Sequence, residues 1–137
     1  MLAAFGVVLP IRVRHAADDS LIERCARLAD TPPVHSHDTL AELERCRAVV
    51  PDDLELLADL GAAYALAGRR ADAEQAYHQV LAVDPDHGDV RVRLATLMLE
   101  RGAVGDARAQ AREALRIQPN REPVLRLLQT IQQHATP

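Results

Sequence analysis

The chain has 137 residues and a formal net charge of −4; 48% of it is hydrophobic but only 2% is aromatic. That length fits one domain, and the dominance of Ala and Leu, with Glu, Asp and Arg between them, favours helix over strand. A weakly acidic chain without a basic stripe speaks against nucleic-acid binding, and no apolar run approaches the roughly 18 residues needed to span a bilayer.

In chain order, MLAAFGVVLPI is apolar and is followed by Arg12 and Arg14. A secretory signal carries its positive charge before the apolar run; here the order is reversed and Pro10 interrupts the run. Residues 1–17 are expected to form an apolar arm, weakly ordered or packed on the helices. Val7 to Val13 has strand-like residues, but a lone strand has no partner.

Residues 16–30 read as a helix, with Asp18, Asp19 and Ser20 as cap candidates and Leu21, Cys25 and Leu28 spaced along one face. Thr31-Pro32-Pro33 stops it. Asp38 opens a second helix, with Leu40, Leu43, Cys46 and Val50 on one side and Pro51 closing the unit. The two cysteines are too few for the disulfide framework of a small secreted scaffold, so a reduced, buried thiol is the expectation for each.

The clearest unit comes next. Asp52 or Asp53 caps a helix whose stripe is Leu57, Leu60, Gly61 and Tyr64, and Gly68 ends it as a left-handed cap. A second helix carries Ala73, Tyr77, Val80 and Leu81, and Asp84-Pro85-Asp86 is a turn. HGDVRVRLATLMLERG and VGDARAQAREALRI repeat this plan up to Pro119, and a last helix has Leu125, Leu128 and Ile131 on one side.

Pro51, Pro85 and Pro119 lie 34 residues apart, and the same offset relates Leu60 to Leu94, Tyr64 to Met98, Gly68 to Gly102, Ala73 to Ala107 and Leu81 to Leu115. A period in this range marks a solenoid of stacked supersecondary units. Leu57, Leu60-Gly61, Tyr64, Ala73, Tyr77 and Pro85 nearly complete the pattern of one known family. On these residues the chain resembles the tetratricopeptide repeat family. Residues 88–121 keep Leu94-Ala95, Met98, Gly102, Ala107, Ala114 and Pro119, but Arg91 replaces the first large apolar residue and Ala111 replaces the aromatic, which is expected to weaken local packing.

The resemblance implies an all-α, right-handed superhelical solenoid of stacked antiparallel helix pairs. Its expected parts are the arm at 1–17, a degenerate first pair at 18–53, repeats at 54–87 and 88–121, and a C-terminal capping helix and tail at 122–137. In the family, the first helix of each repeat lines a concave groove. The groove positions carried over are Glu55, Ala58, Ala62, Ala65 and Leu66, then Asp89, Val92, Thr96, Leu99 and Glu100, then Arg126, Thr130 and Gln133. Some family members grip a C-terminal carboxylate with Lys and Asn there. Ala58 and Ala62 stand where that clamp would start, so an amphipathic helix or an extended apolar peptide is the expected ligand. The competing reading is that these residues pack against the arm of the same chain or face solvent.

The chemistry the sequence offers is sparse. His35 and His37, with His15, Cys25 and Cys46, supply zinc-ligand types, but their spacing matches no known finger; a zinc site at His35 and His37 is the competitor from another class. Asp18-Asp19 and Asp52-Asp53 are better explained as caps than as catalytic carboxylates. His78 and His87 fall on an outer helix face and a turn. The arginines are interleaved with Asp and Glu, as on solvated helix faces.

The expectation is therefore a non-catalytic protein-interaction module, a scaffold or assembly factor, with no cofactor. The alternative is a chaperone-like accessory factor in bacterial envelope or cytochrome biogenesis, since the Ala- and Arg-rich make-up is compatible with a high-GC bacterial source. The expected partner is another protein, or a second copy of this chain in a homodimer. The expected location is cytoplasmic, with a periplasmic or membrane-associated alternative in which any membrane contact runs through the arm.

Overall fold

Each helix begins and ends where local chemistry demands it. The computed structural model describes residues 21, 23–25, 27 and 37–135; the arm at 1–17 and His35 lie outside the described residues. Residues 21, 23–25 and 27 are helical. After them come α1 (His37–Val49), α2 (Leu54–Leu66), α3 (Arg70–Val83), α4 (Gly88–Glu100), α5 (Val104–Ile117) and α6 (Glu122–Ala135). No strand occurs among the described residues, so the fold is all-α.

The repeat is visible in the termini. Asp53 caps α2 by accepting from the Leu56 N–H at 3.0 Å, which settles the choice between the two aspartates. Gly68 and Gly102 follow α2 and α4 at φ values of 76° and 84°. At each, the next residue's N–H reaches back five residues, Arg69 to the Tyr64 carbonyl and Ala103 to the Met98 carbonyl, both at 2.8 Å. This Schellman arrangement satisfies the last carbonyls and turns the chain into the following helix. A non-glycine residue there would hold the left-handed conformation at a cost of about 1–2 kcal/mol.

Two apolar clusters run through the stack. The smaller joins Cys25, Leu43 and Cys46 to Leu56, Leu60 and Ala63 of α2. The larger joins Leu57 and Ala58 to Ala73, Tyr77 and Val80 of α3, to Leu94, Ala95 and Met98 of α4, to Ala107 and Ala111 of α5, and to Leu127 and Ile131 of α6. α2 therefore works on two flanks. The Gly61 backbone lies against Tyr77: a Cβ at Gly61 would sit 2.5 Å from Tyr77 Cε1 and 2.8 Å from its Cδ1. The small residue at this crossing is a steric requirement of the ring opposite.

The cysteines differ from expectation. Both are buried, Cys25 at 1% exposure and Cys46 at 0%, but they are not free thiols: they are joined by a disulfide. The physical reason is that the two helical segments face each other across the small cluster and bring both residues to one point. With the sulfurs bonded to each other, neither thiolate is available to a metal. Among the described residues no group of three or more His, Cys, Asp or Glu converges on a common point.

Arg91, where the repeat pattern has a large apolar residue, forms a polar clasp. Its Nε and Nη2 donate to the Pro85 carbonyl at 2.9 and 2.7 Å, and its Nη1 donates to Gln110 Oε1 at 2.7 Å. One side chain thus ties the turn before α4 to α5.

Candidate partner-binding face

The curvature of the stack follows from which helices approach each other. α2 and α3, and α4 and α5, pack as antiparallel hairpins, with α1 on α2 and α6 on α5. Between units, the backbone of α2 approaches α4, and that of α4 approaches α6. Among the described residues, the backbones of α1 and α3, and of α3 and α5, stay apart. A row whose members close up lies on the inside of a bend, so α2, α4 and α6 form the inner face.

The thirteen positions named from sequence lie on this row but do not form one open surface. Glu55, Leu66, Thr96, Glu100, Arg126 and Gln133 are exposed. Ala65, Asp89, Val92, Leu99 and Thr130 are half-buried, and Ala65, Val92 and Leu99 pack on the larger core. Ala58 and Ala62 are only 6% and 7% exposed. They make a floor rather than a contact surface, because neighbouring helices cover a methyl group where they would leave a longer side chain reaching out.

The polar groups of the face are largely engaged with each other. Arg121 on the α5–α6 turn holds Asp89 and also donates to Gln118. Glu100 pairs with Arg70 at 3.5 Å and Arg126 with Glu122 at 2.8 Å. Thr96 Oγ1 donates to the Val92 carbonyl at 2.9 Å, and Thr130 Oγ1 to the Arg126 carbonyl at 3.0 Å. His87 caps α4 by accepting from the Val90 N–H at 3.4 Å, which leaves its Nε2 3.6 Å from Glu55.

Sequence reasoning missed a joint between units. Asp59 on α2 and the hydroxyl of Tyr77 on α3 both lie close enough to Arg93 on α4 to feel its charge. Partial burial pushes the Asp59 carboxyl above its usual range; Arg93 opposes this, while Glu55 and Asp53 add to it. Burial likewise raises the Tyr77 hydroxyl. The available signal was the period itself, because Asp59 and Arg93 occupy the same repeat position 34 residues apart. A second joint links α1 to the α2–α3 turn. There Tyr64 donates to Glu44 at 3.0 Å, and the Arg69 guanidinium lies 4.4 Å over the Tyr64 ring while donating to Glu44 and Asp72.

With the hairpins, the left-handed glycines and the Gly61–Tyr77 crossing in place, the comparisons agree with the geometry. The family model described as tetratricopeptide repeat matches residues 64–131. Residues 64–131 belong to the tetratricopeptide repeat family. Among curated proteins, it is similar to human aspartyl/asparaginyl beta-hydroxylase, 27% identical over 81 residues, covering 59% of this chain and 11% of that protein. This chain thus spans about a tenth of that relative's length. Among solved structures, MamA of AMB-1 superposes with a TM-score of 0.67 at 23% identity, covering 85% of this chain and 68% of that one. The first tetratricopeptide domain of Spaghetti (RPAP3), bound to the HSP90 peptide SRMEEVD, superposes with a TM-score of 0.68 at 16% identity, covering 85% and 90%. At these identities the structural likeness speaks for the fold. No helix of the described residues is long and apolar enough to cross a membrane.

Proposed function

We propose that this chain is a protein-interaction module whose inner face, the row α2, α4 and α6, docks a peptide or amphipathic helix of another protein. The observation that carries the reading is the inward closure of these three helices over an apolar floor, Ala58 and Ala62 flanked by Ala65, Val92 and Leu99. Exposed Leu66, Thr96, Glu100 and Arg126 stand around this floor. Solenoids of this kind present such surfaces to extended ligands. The peptide-bound structure of Spaghetti supports a peptide as the class of ligand. We read the module as non-catalytic, a scaffold or assembly factor; the match to the hydroxylase covers too little of that enzyme to bring its activity here.

The test is affinity capture with wild type and a Leu66→Asp, Thr96→Lys double variant. Both sites are exposed, so the fold should survive, whereas a charge at Ala62 would be buried. A partner kept by wild type and lost by the folded variant supports the reading. Equal recovery from both contradicts it.

One observation favours the alternative of an envelope assembly factor. The Cys25–Cys46 disulfide suits an oxidising compartment, since disulfides are rare in the cytosol. Acid quenching of its cells, then alkylation in denaturant and mass measurement, decides this: two unalkylated cysteines support the envelope reading, and two alkylated thiols support the cytoplasmic one.

A further inference from the structure

The first helical unit is closed by a covalent bond where the next two rely on packing. Cys46 shares its repeat position with Val80 and Ala114, at the 34-residue offset. All three are fully buried, each at 0% exposure. Val80 belongs to the larger core, and Ala114 is buried on α5 as an ordinary methyl. Only at the first unit does the position carry a covalent bond, to Cys25, 21 residues away in sequence.

Other contacts of this segment lie at its surface or at the edge of the cluster. Leu21 packs half-buried on the small cluster, and Arg24 pairs with Glu42 at 2.6 Å with the Arg24 side chain 61% exposed. An exposed pair of that kind adds little to stability. The segment shares with α1 the covering of Leu56 and Leu60, on the flank of α2 away from the larger core, which are at 1% and 0% exposure.

We propose that the Cys25–Cys46 bond is a staple that holds the segment around Cys25 against α1, so that its oxidation state decides how firmly the apolar flank of α2 is covered. The bond forms by thiol–disulfide exchange. One cysteine thiolate attacks the disulfide of an oxidised carrier, a small-molecule disulfide or an oxidoreductase, and displaces one carrier thiolate. The second cysteine thiolate then attacks the mixed disulfide and displaces the other. Two electrons and two protons pass from the cysteine pair to the carrier. Reduction reverses each step. Because both sulfurs are buried, reduction must wait for the segment to open, so the staple resists reductant while the fold is closed. This inference stands whichever partner the inner face binds.

The experiment is hydrogen exchange by mass spectrometry on the full chain, oxidised and reduced. The reduced wild type differs by two hydrogens and keeps every packing atom, so it isolates the bond. A Cys25→Ala, Cys46→Ala double variant is the second arm. The account expects amides of residues 54–63 to exchange about a hundredfold faster without the bond, from the loop-closure entropy it removes, with the double variant matching the reduced protein and α4 to α6 unchanged. Identical exchange of 54–63 in both redox states overturns the proposal. So does equal loss of protection across α4 to α6, since the bond would then hold the whole chain rather than its first unit.

Discussion

In hairpin α2–α3 the helix crossing is filled by Gly61 against Tyr77; in hairpin α4–α5 the same two positions are Ala95 and Ala111, both at 0% exposure. One crossing combines no side chain with a large one, and the other combines two small ones. The neighbouring pair of positions differs as much. Leu57 is an apolar wedge in the larger core, whereas Arg91 reaches the Pro85 carbonyl and Gln110. The lesson is that the repeat keeps a closed, buried crossing in each hairpin while changing both the residues and the volume that fill it.

The largest expected effect tests that lesson at its centre. Tyr77→Ala should cost about 3–5 kcal/mol, as for other buried aromatic truncations. Gly61→Ala should cost about 1–3 kcal/mol through overpacking, offset by up to about 1 kcal/mol of helix propensity. The double variant Gly61→Ala, Tyr77→Ala installs the pair of the second hairpin in the first. Urea denaturation should show it less destabilised than the sum of the single variants, with a coupling of roughly 0.5–3 kcal/mol. Additive costs would break the comparison.

A smaller effect sharpens it, because here the two hairpins use one device. Gly68→Ala and Gly102→Ala each force alanine into the left-handed region, where φ is 76° and 84°. Each should lower stability by about 1–2 kcal/mol, and the two costs should agree within roughly 0.5 kcal/mol, the scatter of independent sites. A large disagreement would mean that the two turns, alike in hydrogen bonding, are not alike in energy.

The smallest effect lies at the joint between the hairpins. Burial raises the folded-state Asp59 above its ordinary value of 3.8, so the native chain holds this proton more tightly than the unfolded one. The resulting stability is present below 3.8 and is lost as pH rises through the native value. Asp59→Asn removes the titration. The melting temperature of the variant relative to wild type should therefore rise with pH across that window and then level off. Arg93→Gln, which removes the opposing cation from α4, should shift the wild-type window upward.

Much of the fold was legible because it is written in spacings. The prolines mark the turns that follow α1, α3 and α5, and Gly68 and Gly102 mark the left-handed caps. Gly61 beside Tyr77 announced the close crossing. What escaped depends on contacts between elements. The disulfide requires knowing that two helical segments face each other. The burial of Ala58 and Ala62 depends on how closely neighbouring helices approach, which a position on one helix face does not reveal. The Arg91 clasp depends on where the Pro85 carbonyl points, a backbone matter no side-chain pattern records. The Asp59–Arg93 joint was within reach, since equal repeat positions carrying opposite charges are visible in the period.

The most direct test of the central claim places a photo-crosslinking amino acid at Thr96, exposed on the inner row, and in a separate protein at His78, exposed on α3. Both substitutions leave the buried core untouched. The account predicts a defined adduct with one partner protein from position 96 and none from position 78. The same adduct from position 78, with none from 96, would contradict it and move binding to the outer helices.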